Sequence, residues 1–309
     1  MLTTIIKRLL QGIVVLVAVM ILIFVLLRLI PGDPARMIKS VASEEAVQAL
    51  RHEMGIDRSI PEQFVSYLKN LVHGNLGYSW FQKADVADVI KQCWSKTAVE
   101  MLFAIVPAIV FGFIFGVLAA MYPHKWIDKL ISTIAVIEQS LPNYWIAIML
   151  IQVLCAKLGL FPASGYKNYR YAILPALIIM LPLLGIIVKN VRTNMIGSFS
   201  QDFVKAARAR GVPGIASLFG YALRNSLIPI ITIIGAQLGG VLGNCVIIEY
   251  IFSIQGIGLN ILNAIIRRDY LMVQALVMLV SAVFVVVNTL IDISYLYLDP
   301  RIRKAQGGL

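Results

Sequence analysis

Six apolar stretches, each long enough to cross a bilayer, constrain this chain more than anything else in it. A hydrocarbon core of ~30 Å takes about 20 helical residues, and lipid leaves no alternative partner for an unpaired backbone group. The stretches run from Leu9 to Leu27, Met101 to Tyr122, Leu130 to Ala156, Tyr171 to Val188, Leu227 to Ile248 and Leu271 to Ile291. Only 14% of residues are charged and 59% are hydrophobic, which sets the chain apart from water-soluble domains, where about a quarter are charged. An all-α integral membrane fold with six transmembrane helices is expected. The first run ends at Arg28 and Pro31 without a small-residue cleavage site, so it is expected to stay as an anchor.

Six crossings put both termini on one face, and short-loop Lys and Arg decide which. Lys7, Arg8, Lys125, Lys129, Lys189, Arg192, Lys205, Arg208, Arg210, Arg224, Arg301, Arg303 and Lys304 fall on one side. Lys157, Lys167, Arg170, Arg267 and Arg268 fall on the other. Both termini are therefore expected in the cytoplasm. The long segment from Arg28 to Lys96 carries nine more basic residues, but its eight acids nearly neutralise them, and long loops cross largely regardless of charge. The formal net charge of +11 then belongs to the membrane flanks, and nucleic-acid binding is not expected. Cys93, Cys155 and Cys245 form no paired motif and the three histidines are isolated, so no disulfide framework or metal site is expected.

The chain divides into residues 1–30, an N-terminus with the first crossing; 31–97, an extracytoplasmic helical segment; 98–300, a five-helix core; and a tail, 301–309. In the outer segment Ser43 can cap a helix with Glu44 and Glu45 in its first turn and Gly55 past its end. A second helix fits from Pro61 to His73, with Phe64, Tyr67, Leu68 and Leu71 on one face and Gly74 after it. The segment reads as a small cap over the outer mouth, with direct solute contact as the other reading.

The inner loop 190–228 is long, basic and amphipathic. Ser200 can cap a helix through Asp202, Phe203, Ala206, Ala207 and Arg210, stopped by Gly211 and Pro213. A second helix is expected through Ile215, Leu218, Phe219, Ala222 and Leu223. Small residues at Ala206 and Ala207 allow close approach of a partner, with Arg208 and Arg210 at the rim. A helix pair lying on anionic lipid is the alternative.

The run DFVKAARARGVPGIASLFGYALRNSLIP, from Asp202 to Pro229, resembles the coupling loop of bacterial ATP-binding-cassette (ABC) importer permeases, above all the peptide/nickel family. Lys205, Ala206, Ala207 and Gly211 occupy the places of that family's Glu-Ala-Ala and following Gly, with Lys205 replacing the acid. PGDP (Pro31 to Pro34), HGNLGYS (His73 to Ser79), SLPNYWIA (Ser140 to Ala147), IIEYIFSIQGIG (Ile247 to Gly258), RRDYLMVQ (Arg267 to Gln274) and DPRIR (Asp299 to Arg303) extend the resemblance over nearly the whole chain. Gln255 stands where the family often has Pro, so a looser turn is expected there. The resemblance implies a type I importer permease in the bacterial cytoplasmic (inner) membrane. It implies as partners a second, homologous permease, separate ATPase subunits and an extracytoplasmic substrate-binding protein. It also implies that Asp202, Phe203, Lys205, Ala206, Ala207, Arg208, Arg210 and Gly211 form the surface that docks on the ATPase. Peptides, nickel or other metal chelates and glutathione-like molecules are all within its implied substrate range.

The chain has no Gly-Lys dipeptide and hence no phosphate-binding loop. No catalytic residue or cofactor is expected in it; ATP and Mg are expected on the partner subunits.

Polar side chains inside crossings are costly and mark candidate path residues. These are Glu138, Gln139, Asn143, Gln237, Asn244, Glu249, Asn288 and Asp292. Gln237 and Asn244 share one helix face and either line a path or bond between helices. Glu249 and Asp292 lie near span ends, where helix pairing or an interfacial position suffices. Gly112, Gly116 and Ala120, and likewise Gly235, Gly239 and Gly243, are expected to form close-packing grooves. Pro175 and Pro182 are expected to bend or open their helix. The rival reading is a self-contained channel or proton-coupled carrier relaying protons through Glu138 or Asp292. A polytopic membrane enzyme has no nucleophile–base pair to support it.

Overall fold

The structure, a computed structural model, describes residues 2–39, 41–213 and 223–298, with backbone alone for residues 2–5, 203, 208, 224–229, 238, 292 and 294–298. The second helix expected in the inner loop and the DPRIR segment lie outside the described residues.

Helix α1 is Leu2–Leu29. The outer segment follows as α2 (Pro34–Ile38), α3 (Glu44–Met54), α4 (Ile60–Val72) and a small antiparallel hairpin of β1 (Tyr78–Ser79) and β2 (Ala84–Asp85). The core comprises α5 (Val86–Met121), α6 (Trp126–Ser140), α7 (Asn143–Leu150, continued by a π-helix over Ile151–Lys157), α8 (Arg170–Phe199), α9 (Asp202–Ala209), α10 (Arg224–Ile251), α11 (Ile257–Arg267) and α12 (Tyr270–Leu298). Among the described residues α1, α5, α8, α10 and α12 are long and apolar enough to cross a membrane, and α6 with α7 passes the same test as a bent pair, a sixth span if the two count as one.

That sixth span corrects the uninterrupted helix expected from Leu130 to Ala156. The chain bends by 99° between α6 and α7. Pro142 lacks the N–H that would bond back into α6, and its ring pushes Leu141 into an extended conformation (φ −100°, ψ 136°). Pro175 and Pro182 do not open α8, which stays one helix through both.

Helix α8 is apolar on all sides from Tyr171 to Val188 and forms the centre, with Leu174, Ile178, Ile179, Ile187 and Met195 of the helix buried among α5, α6 and α10. Its main partner is α5, whose buried positions Val86, Val89, Cys93, Thr97, Glu100, Ala104 and Ala108 recur every three or four residues. Glycines let the two helices touch: a Cβ at Gly112 or Gly116 would fall 2.7 Å from Ile187 or 2.6 Å from Val191. Gly235 and Gly239 serve the same purpose for α10 against α12, whereas Gly243 faces open space.

The outer segment is fixed to the core. Phe64, Leu68 and Leu71 of α4 pack with Tyr67 on Met20 and Phe24 of α1, with Phe24 and Phe64 rings edge to face at 4.9 Å. The caps fall where expected, with the Ser43 side chain accepting from Ala46 N–H and Gly55 left-handed after α3. Ser59 and Glu62 form a capping box on α4. The boundary expected at residues 97 and 98 falls inside α5, which runs as one helix from Val86 to Met121.

Candidate functional site

Helix α9 begins only three residues after α8 ends, and its C-terminus follows from Gly211. That residue has φ +85°, and Val212 N–H returns to the Ala207 carbonyl at 3.2 Å, closing a left-handed helix stop. Ser200 is not its cap: the Ser200 hydroxyl donates to the Gly197 carbonyl of α8, and the Gln201 carbonyl accepts from Val204 and Lys205 instead.

The helix has an inner and an outer face. Val204 and Ala207 are fully buried, while Asp202, Lys205, Ala206, Ala209 and Arg210 are exposed. Ala206 and Ala207, expected to act together, therefore do different jobs: Ala207 seats the helix and Ala206 faces outward. Lys205 Nζ lies 3.0 Å from Asp202 on the exposed side, a surface pair worth little to stability. The side chains of Phe203 and Arg208 lie outside the described ones.

The base of α8 is clamped. Arg192 makes a two-toothed bond to Asp128 on the first turn of α6, its Nη2 at 2.8 Å, and the carboxylate also accepts from His124 N–H and the Ser132 hydroxyl. Asp128 is 3% exposed, so the ion pair locks α6 to the helix that carries α9. Sequence offered no sign of this pairing across 64 positions.

Among the described residues the polar candidates inside the crossings have different neighbours. Asn143 on α7 donates to Asn244 on α10 at 3.2 Å, the interhelical reading of Asn244. Asn288 donates to Phe284 C=O on its own helix, and Gln237 is half-buried on α10. Glu138 and Gln139 lie against Gly185 of α8, where a Cβ would come within 2.8 Å of both side chains; the Glu138 carboxylate has no hydrogen-bond partner among the described residues. The Asp292 side chain lies outside those described.

Glu249 is committed to contacts within the chain. It is fully buried, accepts from the Thr97 hydroxyl, and receives Leu259 N–H of α11 at 3.0 Å. Thr97 receives Ile257 N–H at 2.8 Å, so the two side chains cap α11 together. Gly256 leaves room for the carboxylate, which a Cβ would meet at 2.1 Å. Glu100, one residue before the expected second span and so missed, is also fully buried; the three-and-four spacing of α5's buried face carries through it.

At the end of the core that carries the hairpin, the Ser79 hydroxyl donates to Asp269, between α11 and α12. Burial raises the Asp269 carboxyl above its ordinary pKa, opposed by the Ser79 bond.

Two family models match almost end to end. Residues 1–101 match the N-terminal part of the binding-protein-dependent transport system membrane component, and residues 112–304 match the binding-protein-dependent transport system inner membrane component. The chain is 34% identical over 304 residues, covering 98% of this chain and 99% of the relative, to the glutathione transport system permease protein GsiC of Escherichia coli O6:H1. It is 33% identical, over the same extent, to the proteins of that name from Escherichia coli K12 and Shigella dysenteriae serotype 1.

Proposed function

The chain belongs to the family of inner membrane components of binding-protein-dependent transport systems, as a permease subunit of an ABC importer, and from this we infer that α9 is where an ATPase subunit drives it. The single observation that carries the inference is the division of α9 into a buried face, Val204 and Ala207, and an exposed face on the chain's basic side. Because α9 is joined closely to α8, and α8 packs against α5, α6 and α10, a push on α9 is passed to those three helices.

In this reading the chain pairs with a second, similar permease, and their helices enclose a path that opens alternately outward and inward. ATP and Mg sit on the ATPase subunits. An external binding protein delivers the solute to the side that carries α2 to α4. The Lys and Arg balance of the short loops supports cytoplasmic termini and a cytoplasmic α9. The relatives named for glutathione transport support a short, glutathione-like peptide as the solute, with other peptides and metal chelates as the neighbouring classes.

The test is Ala206→Arg in the complex reconstituted with its ATPase and binding protein. A large cation on the exposed face should abolish solute-stimulated ATP hydrolysis while the chain inserts normally. Full ATP-dependent uptake by the variant would overturn the assignment of α9.

A further inference from the structure

A groove of about 290 Å³ runs along α6, between it and helices α5 and α8. Its walls are apolar, with Phe115 from α5, Leu130 and Ile134 from α6, and Leu184 and Val188 from α8. Phe115, Leu130 and Ile134 are exposed, so the groove opens away from the core. The oxygens of Glu138 at its far end are covered, and its walls offer a solute no polar partner. From Leu130 to Glu138 the groove extends about 12 Å along α6, at 1.5 Å per residue. That is close to half of a ~30 Å hydrocarbon core, the depth of one leaflet.

The other end of the groove is cationic. Lys189 stands one turn beyond Gly185, which lines the groove, and so shares its face of α8. Lys129 immediately precedes Leu130 on α6. Both lysines are exposed, and neither has an ion pair among the described residues. Their charge is not cancelled locally: Asp128 is buried and bound by Arg192, α8 carries no acid, and α5 carries none after Glu100. Trp126, one turn before Leu130, is 72% exposed, as suits an indole at the boundary between hydrocarbon and headgroups. An ATPase surface would meet the lysines and leave the groove empty. An uncharged hydrocarbon would fill the groove and leave the lysines unanswered.

We propose that this groove binds an anionic phospholipid, with an acyl chain laid along α6 and the phosphate held between Lys129 and Lys189. A lipid seated there touches α5, α6 and α8 together, next to the Asp128–Arg192 clamp. The site is separate from α9 and does not depend on which solute the importer carries.

Native mass spectrometry of the full chain released from detergent micelles tests it, with dioleoylphosphatidylglycerol against dioleoylphosphatidylcholine, which share their chains and differ in net charge. Phosphatidylglycerol should bind more than tenfold tighter, because each lysine near an anionic headgroup contributes about fivefold. Lys129→Gln combined with Lys189→Gln should remove most of that preference. Lys157→Gln combined with Lys167→Gln, before α8, should leave it intact. Leu130→Trp, which fills the groove, should weaken retention of both lipids while the chain melts as the parent does. Equal retention of the two lipids, a preference that survives the Lys129 and Lys189 changes, or retention unchanged in Leu130→Trp overturns the proposal. Loss of the ATPase subunits from the complex in the Lys129 and Lys189 variant, with its lipid preference intact, overturns it as well and gives the face to the ATPase.

Discussion

Thr97 on α5 donates its hydroxyl proton to Glu249 on α10, and the pair receives two N–H groups from the first turn of α11, those of Ile257 and Leu259. Three helices therefore meet at one fully buried hydrogen-bonded knot. A carboxylate inside a span is a natural suspect for solute or proton handling. Here its oxygens are committed to a helix terminus that lipid could not satisfy.

Thr97→Val should destabilise the folded chain by about 1–3 kcal/mol, because Ile257 N–H loses its acceptor in a dry site. Glu249→Gln keeps a carbonyl oxygen for Leu259 N–H and should cost less than Glu249→Leu. Thermal melts in detergent rank the three; equal melting for Glu249→Gln and Glu249→Leu would show that the cap is not what the carboxylate supplies.

Gly211→Ala should impair coupling by distorting the helix stop. A left-handed residue with a Cβ costs roughly 1–2 kcal/mol, paid locally in the segment after α9. ATP hydrolysis stimulated by the binding protein should fall while assembly persists. Lys205→Ala, in contrast, should leave stimulation unchanged, since the ammonium pairs only with the exposed Asp202. A large loss in Lys205→Ala would mean that the ATPase reads this cation directly.

Asp128→Asn should cost about 2–4 kcal/mol, below the full cost of breaking a buried pair because Arg192 keeps part of its hydration. A double-mutant cycle with Arg192→Gln should show strong coupling. Additive effects in that cycle would dismiss the clamp between α6 and α8.

The contact of the hairpin with Asp269 should depend on pH. The folded pKa is raised by burial above the unfolded one, so this group favours the fold below the ordinary aspartate range and that contribution fades as pH rises through the raised value. Hydrogen exchange over residues 76–85 should therefore quicken from acid toward neutral pH beyond its intrinsic pH dependence, and Asp269→Asn should flatten the excess. An identical excess in the variant would place the titration elsewhere.

Much of the architecture could be read from residue order alone. The crossings follow from apolar length, because no other segment could satisfy its backbone in lipid. The ends of α3, α4 and α9 follow from Ser43, Gly55, Ser59, Pro61 and Gly211, whose conformational preferences act within a few residues. The bend at Pro142 was equally local, yet the apolar run through it hid the break, since hydropathy registers composition and not the continuity of a hydrogen-bond ladder.

Tertiary structure decided what the polar residues do. Glu249, Asn244, Asp128 and Asp269 all find partners from 10 to 190 positions away, and a side chain buried in a crossing reads the same whether it faces a path, a neighbouring helix or a helix end. Sequence marked Glu249 and Asn244 as costly and passed over Asp128 and Asp269; only packing says what offsets the cost. The same holds for Ala206 and Ala207, adjacent and identical in kind, one of them turned outward and the other buried by the 100° that separates neighbours on a helix.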